Sequence, residues 1–234
     1  FENLKMKVVS NKDNLQILHE DNHIIAINKR IGDIVQGDKT GDKPLSEVVK
    51  EYIKEKYNKP GEVFLGVVHR LDRPTTGIVV FARTSKALTR LNELFSNRET
   101  QKTYWAIVKN KPENDQDTLV HFLKRNEKNN TSKAYLKEVP ESKKSSLDYK
   151  IIKTLDNYFA LEINLHTGRH HQIRAQLTAI GCPIKGDLKY GFDRSNPDGG
   201  IHLHARKLVF IHPVSKEVLE IIAPTHKNSI WNSI

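Results

Sequence analysis

Strand-like segments far outnumber helical ones along this chain, and this imbalance restricts its fold more than any other feature. A strand is indicated where apolar and polar residues alternate, or where a short apolar run lies between turn signals. Tyr104, Ala106 and Val108 share one face of such a segment, while Trp105 and Ile107 share the other. Strands are predicted within residues 15–21, 23–30, 78–83, 102–109, 148–168 (a hairpin turning at Asp156-Asn157), 201–211 and 217–223.

Apolar residues recur at helical spacing in PLSEVVKEYIKEKY (44–57), KALTRLNELFSNRE (86–99) and HQIRAQLTAIG (171–181). Pro44 opens the first of these helices, and Thr84 or Ser85 can cap the second. Gly181 ends the third, because glycine readily adopts the left-handed conformation that follows many helices. These three helices are set among a larger number of strands.

The intervening residues 110–148 are polar, and we predict that they form surface hairpins. The sequence has no internal repeat and no linker rich in Pro, Gly or Ser. We therefore predict a single domain over residues 1–234, with residues 1–14 as an N-terminal extension. Many strands with a few helices between them favour the α+β class, with a largely antiparallel mixed sheet flanked by helices.

The charge balance points to a polyanionic partner. The chain has 38 Lys and Arg against 28 Asp and Glu, which gives a formal net charge of +10. Such an excess suits nucleic acid or an anionic membrane. A membrane is not favoured, because the longest apolar runs, such as GIVVFA (77–82), are far shorter than the roughly 20 residues of a spanning helix. Cys182 is the only cysteine, so we predict a reducing, cytoplasmic compartment.

Nucleotide-cofactor motifs are absent from the sequence. Gly32 and Gly37 have the spacing of a phosphate-binding loop, but Asp38 follows where that motif requires lysine. No GxGxxG occurs either. Histidine ligands for zinc or iron are an alternative, but no cysteine pair or HExxH accompanies them, and nearby arginines would repel a cation. The histidines in question are His166, His170, His171, His202 and His204.

The segment HRLDRPTTG (69–77) combines reactive groups with a turn. Asp72 lies between Arg70 and Arg73, and guanidinium groups that pair closely with a carboxylate lower its pKa by about 1–3 units. We therefore expect Asp72 to be ionised and suited to act as a nucleophile or base. A surface ion pair is the other interpretation of this segment by itself.

Two further segments carry candidate site residues. In Lys102-Thr103-Tyr104 the tyrosine either packs in a half-buried strand or stacks on a base and transfers a proton. Arg174 lies in the first turn of the third helix at the edge of its apolar face, with His170 four residues earlier. A half-buried arginine there requires a carboxylate or phosphate partner, and Asp72 is the candidate.

HRLDRPTTG, KTY, TGRHHQIR and GCPIKGDLKYG (181–191), in this order and spacing, resemble the RNA pseudouridine synthases of the ribosomal-large-subunit/tRNA type, from about residue 17 to 224. The resemblance implies the fold of that family, with an active-site cleft across the sheet, and the isomerisation of uridine in RNA without metal or organic cofactor. It also implies that Asp72 is the catalytic aspartate, that Tyr104 packs on the base and removes the C5 proton, and that Arg174 pairs with the aspartate. Arg70 is expected near the space that the extruded nucleotide leaves.

The same resemblance implies an RNA substrate, either rRNA or tRNA, whose target uridine is flipped out of the helix at a cost of a few kcal/mol. A monomer without a separate N-terminal RNA-binding domain is expected, with RNA contacts from basic residues of segment 124–144. Thr76 and Gln176 depart from the family pattern, and Gln176 is expected to alter RNA contacts.

A non-catalytic RNA-binding or ribosome-assembly factor and a metal hydrolase are the alternatives. Besides Arg70, the residues predicted to bind substrate are His69, Arg73, Lys102, Arg169, His170 and Gln172.

Overall fold

The structure, a computed structural model, describes residues 8–234. Its strands are β1 Ile17–Glu20, β2 Ile24–Lys29, β3 Gly66–Val67, β4 Thr76–Ala82, β5 Gln101–Val108, β6 Gln116–Asn126, β7 Thr131–Tyr135, β8 Lys143–Thr154, β9 Phe159–Leu165, β10 Leu203–Ile211 and β11 Val218–Ile222. The helices are α1 Leu45–Lys56, α2 Ser85–Ser96 and α3 Gln172–Ala179, with 3-10 turns at Leu188–Tyr190 and Trp231–Ser233.

All of these strands belong to one sheet. Nine run in the order β1-β2-β4-β10-β5-β9-β8-β6-β7, while β11 pairs with β10 and β3 pairs with β4. Within residues 8–234 the β4–β10 pair is parallel and the other pairs are antiparallel. The prediction of an α+β fold on a largely antiparallel mixed sheet is therefore confirmed. Of the predicted N-terminal extension, residues 1–7 lie outside the described residues.

The two faces of the sheet are covered by different helices. In β2, Ile25 and Ile27 pack towards α1, whereas Ile24 and Ala26 pack towards α2, as the alternation of a strand requires. Helix α3 packs on the far half of the sheet, against β6 and β7. Tyr104 contacts both the α1 cluster and the α3 cluster, so it lies in the cleft between them. No helix in the described part of the chain is long and apolar enough to cross a membrane.

Segment 110–148 contains a hairpin, as predicted, in which β6 and β7 pair antiparallel across residues 127–130. The hairpin also continues the main sheet, since β6 pairs with β8 and β8 with β9. Leu119, Leu123 and Leu147 are buried on one face, whereas Val120 and Phe122 on the other face of β6 are less buried. Most other residues of these strands are polar, so the strand signal in the sequence is weak.

Gly77 brings the HRLDRPTTG segment onto the sheet. Its φ is +116°, and a Cβ at this position would lie 2.4 Å from the carbonyl oxygen of Ala205. No other residue tolerates both conditions, so glycine permits β4 to approach β10 here. Ala205 pairs with Gly77 on one side and with Tyr104 on the other. The loop that precedes β4 is thereby placed beside Tyr104.

Candidate active site

Asp72, Tyr104 and Arg174 line one cavity of about 380 Å³ between the α1 and α3 sides of the sheet. Asp72 lies in the loop before β4, Tyr104 on β5 and Arg174 in the first turn of α3. Nη1 of Arg174 donates a hydrogen bond of 3.1 Å to Oδ2 of Asp72. The side chain of Arg174 is 6% exposed and that of Asp72 is 33% exposed, so the carboxylate faces the cavity and the guanidinium lies behind it.

A second carboxylate holds the guanidinium from the opposite side. Nε and Nη2 of Arg174 donate to the two oxygens of Asp187 at 2.7 and 2.8 Å, and the Asp187 side chain is only 1% exposed. Such a bidentate pair fixes the plane of the guanidinium as well as its position. The ring of Tyr190 covers the guanidinium at 4.9 Å from its centroid. Arg174 therefore presents Nη1 to Asp72 in a fixed direction.

His171 also contacts Asp72, from the residue that precedes α3. Its Nε2 lies 3.4 Å from Oδ2 of Asp72, and its Nδ1 lies 2.7 Å from the hydroxyl of Tyr190. That hydroxyl also accepts a hydrogen bond from the backbone N–H of Ser132 at 2.8 Å. Nε2 of His171 lies 3.3 Å from Nη1 of Arg174 as well, so the ring is held between Tyr190 on one side and the Asp72–Arg174 pair on the other. His171 adopts a left-handed conformation with φ of 51°, which turns its ring towards the cavity.

These contacts keep Asp72 ionised. Burial raises the pKa of this carboxyl, but the hydrogen bond from His171 and the charge of Arg174 outweigh burial and hold the pKa well below its usual value. The flanking Arg70 and Arg73, which the sequence suggested as the source of this effect, form no ion pair with Asp72 within residues 8–234. The residues that lower the pKa of Asp72 are His171 and Arg174, which lie about a hundred positions further along the chain.

Tyr104 is held in the neutral form. Burial and the adjacent charge of Asp72 raise the pKa of its phenol above the usual value. Its ring packs against both clusters that border the cleft, and its hydroxyl makes no hydrogen bond within the described residues. An aromatic face and a free phenol are thus presented next to an ionised carboxylate.

The family model for RNA pseudouridylate synthases matches residues 23–179, which contain all three of these residues. The chain belongs to the RNA pseudouridylate synthase family. It is 32% identical over 225 residues to an uncharacterised RNA pseudouridine synthase of Synechocystis, a match that covers 94% of this chain and 68% of the relative. It is 34% identical over 220 residues to ribosomal large subunit pseudouridine synthase C of Rickettsia bellii, covering 92% and 70%.

The fold of this pseudouridine synthase is also that of a solved relative. Human RNA pseudouridylate synthase domain containing 4 matches with a TM-score of 0.77 at 23% identity, over 93% of this chain and 90% of that chain. The predicted reaction class is confirmed by the family and its named members: the enzyme is an isomerase that converts uridine in RNA to pseudouridine. Nothing in these comparisons supports the non-catalytic alternative.

Most of the residues predicted to bind substrate line the same cavity of the synthase. His69, Arg70, Lys102, Arg169, His170 and Gln172 all contribute to its wall. Arg73 does not, because its guanidinium points away and pairs with Asp42 at 2.7 Å and Asp38 at 3.3 Å. The guanidinium of Arg73 thus holds the loop of residues 38–42 rather than facing the cavity.

Three of the wall residues are engaged with the protein itself. Gln172 is buried, and its side chain accepts from Thr167 and from the backbone of Arg169. His69 accepts a hydrogen bond from the Val80 N–H at 2.9 Å, and burial together with the charge of Lys102 lowers its pKa to about 3. The third, His170, stacks on the His171 ring at 3.8 Å, and its Nδ1 lies 2.8 Å from the Ser132 hydroxyl. His171, which is not among the predicted substrate-binding residues, is the histidine that contacts Asp72.

Gln176, which is expected to alter RNA contacts because it departs from the family pattern, has no exposed surface with which to touch RNA directly. It is fully buried in α3, where its amide lies 2.9 Å from Nδ1 of His121 and 3.3 Å from the Leu119 carbonyl. Its position on the inner face of α3 therefore makes it part of the contact between that helix and β6.

The histidines considered as metal ligands are dispersed among other contacts. His171 contacts Asp72, the Nε2 of His166 lies 2.8 Å from Asp148, and Nδ1 of His204 lies 2.7 Å from the hydroxyl of Thr76. The hydroxyl of Thr76 thus takes part in a hydrogen bond in the protein core.

A different group, His19, Asp21 and His212, places three potential metal ligand atoms within 4.8 Å. Nδ1 of His212 accepts the backbone N–H groups of Val214 and Ser215, so the proton of its neutral ring resides on Nε2. That Nε2 donates to Asp21 at 2.8 Å, and a protonated nitrogen is not a metal ligand. The group is explained as a hydrogen-bonded link between the β1–β2 turn and the end of β10.

Removal of the Tyr190 hydroxyl tests the arrangement around His171. In Tyr190→Phe, Nδ1 of His171 loses its hydrogen-bond partner, so the ring is no longer held in the orientation that places Nε2 against Asp72. We expect kcat for uridine isomerisation to fall about fivefold to tenfold, the equivalent of one buried hydrogen bond. The KM for RNA should stay within about twofold, since no cavity-lining charge is removed.

Tyr135→Phe on β7 serves as the matched control, because the Tyr135 hydroxyl makes no hydrogen bond in the described part of the chain. Steady-state release of tritium from RNA labelled at uridine C5 measures both constants. An unchanged kcat in Tyr190→Phe would show that the hydrogen bond between Tyr190 and His171 does not help to position Asp72.

Proposed function

We propose that Asp72 is the catalytic carboxylate of this synthase and that Arg174 positions it. This proposal rests on two successive contacts at the cavity wall. Asp187 orients Arg174, and Arg174 in turn orients an ionised Asp72. In the reaction the bond from ribose C1′ to uracil N1 breaks, a bond from C1′ to C5 forms, C5 loses its hydrogen as a proton and N1 takes up a proton. Attack of Asp72 on the base, its attack on the ribose and removal of a ribose proton all begin from the ionised carboxylate.

We also propose that Tyr104 packs against the flipped uracil and participates in removing the C5 proton. Its raised pKa means that the phenol is protonated at neutral pH, so it is not a resting base. A proton from C5 can cross this residue only if the phenol releases its own proton in the same step. The other predicted substrate contacts, from Arg70, Lys102, Arg169 and His170, complete the proposed pocket.

The proposed substrate is large-subunit rRNA, with tRNA as the other candidate class. The Rickettsia relative and relatives from two Vibrio species are named ribosomal large subunit pseudouridine synthase C. Arg125 on β6 contributes a cationic side chain to the cavity wall, where an RNA phosphate would bind it. Lys124 and Lys133 lie opposite each other on the other face of β6 and β7, and Lys124 pairs there with Glu141 at 3.3 Å. We further propose that residues 8–234 act as one catalytic domain, monomeric and cytoplasmic.

Mapping pseudouridines in cells that lack the gene tests the function and its RNA class. We expect at least one pseudouridine to disappear from large-subunit rRNA, to return with the wild-type gene, and to stay absent with Asp72→Ala. Loss of a tRNA site alone would reassign the substrate. If every site persists in the deletion strain, or if Asp72→Ala restores them all, the proposed function is wrong.

A further inference from the structure

A second cavity adjoins the active site. We call it the shoulder groove; it lies where the end of α2, the start of β5 and the loop after β9 meet, and its volume is about 760 Å³. It shares Lys102, Leu165, Gly168 and Arg169 with the active-site cavity. Because these residues line both, the groove and the active-site cavity are adjacent, and an RNA chain bound in one is within reach of the other.

Lys102 lies at this junction. Its Nζ is 4.7 Å from the centroid of the Phe95 ring, and a Cβ added at Gly168 would lie 3.8 Å from the same Nζ. The side chain is partly buried, and burial lowers the pKa of its ammonium group. No carboxylate within residues 8–234 forms an ion pair with it. A cation that is partly removed from water without an anion is unfavourable, unless a ligand supplies the negative charge.

The other charges of the shoulder groove also favour an anion. Arg98 at the end of α2 is exposed and makes no ion pair in the described residues, and Arg169 enters from the opposite wall. The acid in this wall is Asp148, whose oxygens are engaged by the Thr118 hydroxyl at 2.6 Å and by Nε2 of His166 at 2.8 Å. The shoulder groove thus has three cationic side chains and one carboxylate, and that carboxylate is already bound by Thr118 and His166.

We infer that the shoulder groove is a subsite for the RNA nucleotide adjoining the flipped uridine, with Lys102 binding the phosphate that links the two. The inference rests on the proposed function, because it takes the cavity of Asp72 as the uridine pocket. Phe95, whose ring lies beneath the ammonium, supplies an apolar surface in the groove, and Arg98 and Arg169 supply further contacts to the RNA backbone. Lysine is a suitable point charge for a single phosphate.

Lys102→Met tests this subsite, since methionine keeps an apolar stem of similar length without the charge. The probe is large-subunit rRNA transcribed in vitro with tritium at uridine C5, and tritium release gives KM and kcat. We expect KM to rise about tenfold, with the larger part of the effect in KM, and Lys102→Arg to restore most of it. The slope of log(1/KM) against log salt should become shallower by about 0.7–0.9, the contribution of one phosphate contact.

Lys59→Met is the matched control, because Lys59 is exposed in the turn after α1 and lines neither cavity. If Lys102→Met and Lys59→Met have the same KM and salt slope, the inference is overturned while the proposed function stands. If the wild-type enzyme releases no tritium from this rRNA or from a tRNA transcript pool, it is the proposed function that fails.

A second variant covers the case in which Lys102→Met does not fold. Arg98 is exposed and has a φ of 59°, which asparagine tolerates, so Arg98→Asn should leave the fold intact. We expect KM to rise about threefold and the salt slope again to become shallower, since a backbone contact is lost. A KM and slope equal to those of the wild type in Arg98→Asn would then overturn the subsite.

Discussion

Asp72→Asn is expected to lower the rate of tritium release from RNA labelled at uridine C5 by about 10⁴-fold, at the upper end of what one positioned group contributes to catalysis. Asparagine has nearly the shape of aspartate and still accepts hydrogen bonds from Arg174 and His171. It carries no negative charge, however, and so cannot attack the base or the ribose, or remove a ribose proton. The substitution thus removes the chemistry and leaves the cavity in place.

Binding of RNA separates this effect from loss of the pocket. The Asp72→Asn protein should bind large-subunit rRNA transcript with a Kd within about threefold of the wild type, since phosphate contacts dominate RNA affinity. Thermal unfolding should show that the protein is folded, because Asp187 continues to hold Arg174. A rate within tenfold of the wild type would contradict the catalytic role of Asp72, whichever chemical route it follows.

The amino-acid sequence predicted that Asp72 pairs with Arg174, but it did not predict that Asp187 holds Arg174 in place. The position of Arg174 on a helical wheel, together with the family resemblance, led to the pair with Asp72, and the two side chains do meet at 3.1 Å. Asp187 lies within GCPIKGDLKYG, where no local pattern predicts a role for it. Its pairing with Arg174 depends on the turn after α3, where Gly186 has a φ of +88°. Such a turn brings the carboxylate back to the helix, which spacing along the chain does not reveal.

Spacing along the chain also does not reveal the contact of His171 with Asp72 or the strands of segment 110–148. A spacing of four residues places His170 on the same side as Arg174 only if both lie inside one helix. Helix α3 begins after both histidines, and the left-handed His171 places its own ring on Asp72. In segment 110–148 the strands are stabilised by pairing with β9 and by α3, both distant in sequence, so local patterns carried little information.

Asp187→Ala is expected to lower the free energy of unfolding by about 3–5 kcal/mol, because it leaves the buried guanidinium of Arg174 without its bidentate partner. Urea denaturation measures this value. Asp42→Ala provides the contrast, since it removes the ion pair between Arg73 and the exposed Asp42, and such surface pairs contribute about 0–1 kcal/mol. Equal losses in the two variants would contradict the view that burial makes the Arg174–Asp187 pair critical.

A double substitution then distinguishes stability from function. Arg174→Met with Asp187→Leu removes both buried charges, and apolar residues of similar volume often replace such a pair with little loss of stability. We expect the free energy of unfolding to return to within about 1 kcal/mol of the wild type. Uridine isomerisation should remain strongly reduced, because Asp72 no longer has the donor that orients it and favours its ionised form. Recovery of both properties would mean that the buried pair serves only the fold, whereas recovery of stability alone would identify it as the support of the catalytic carboxylate.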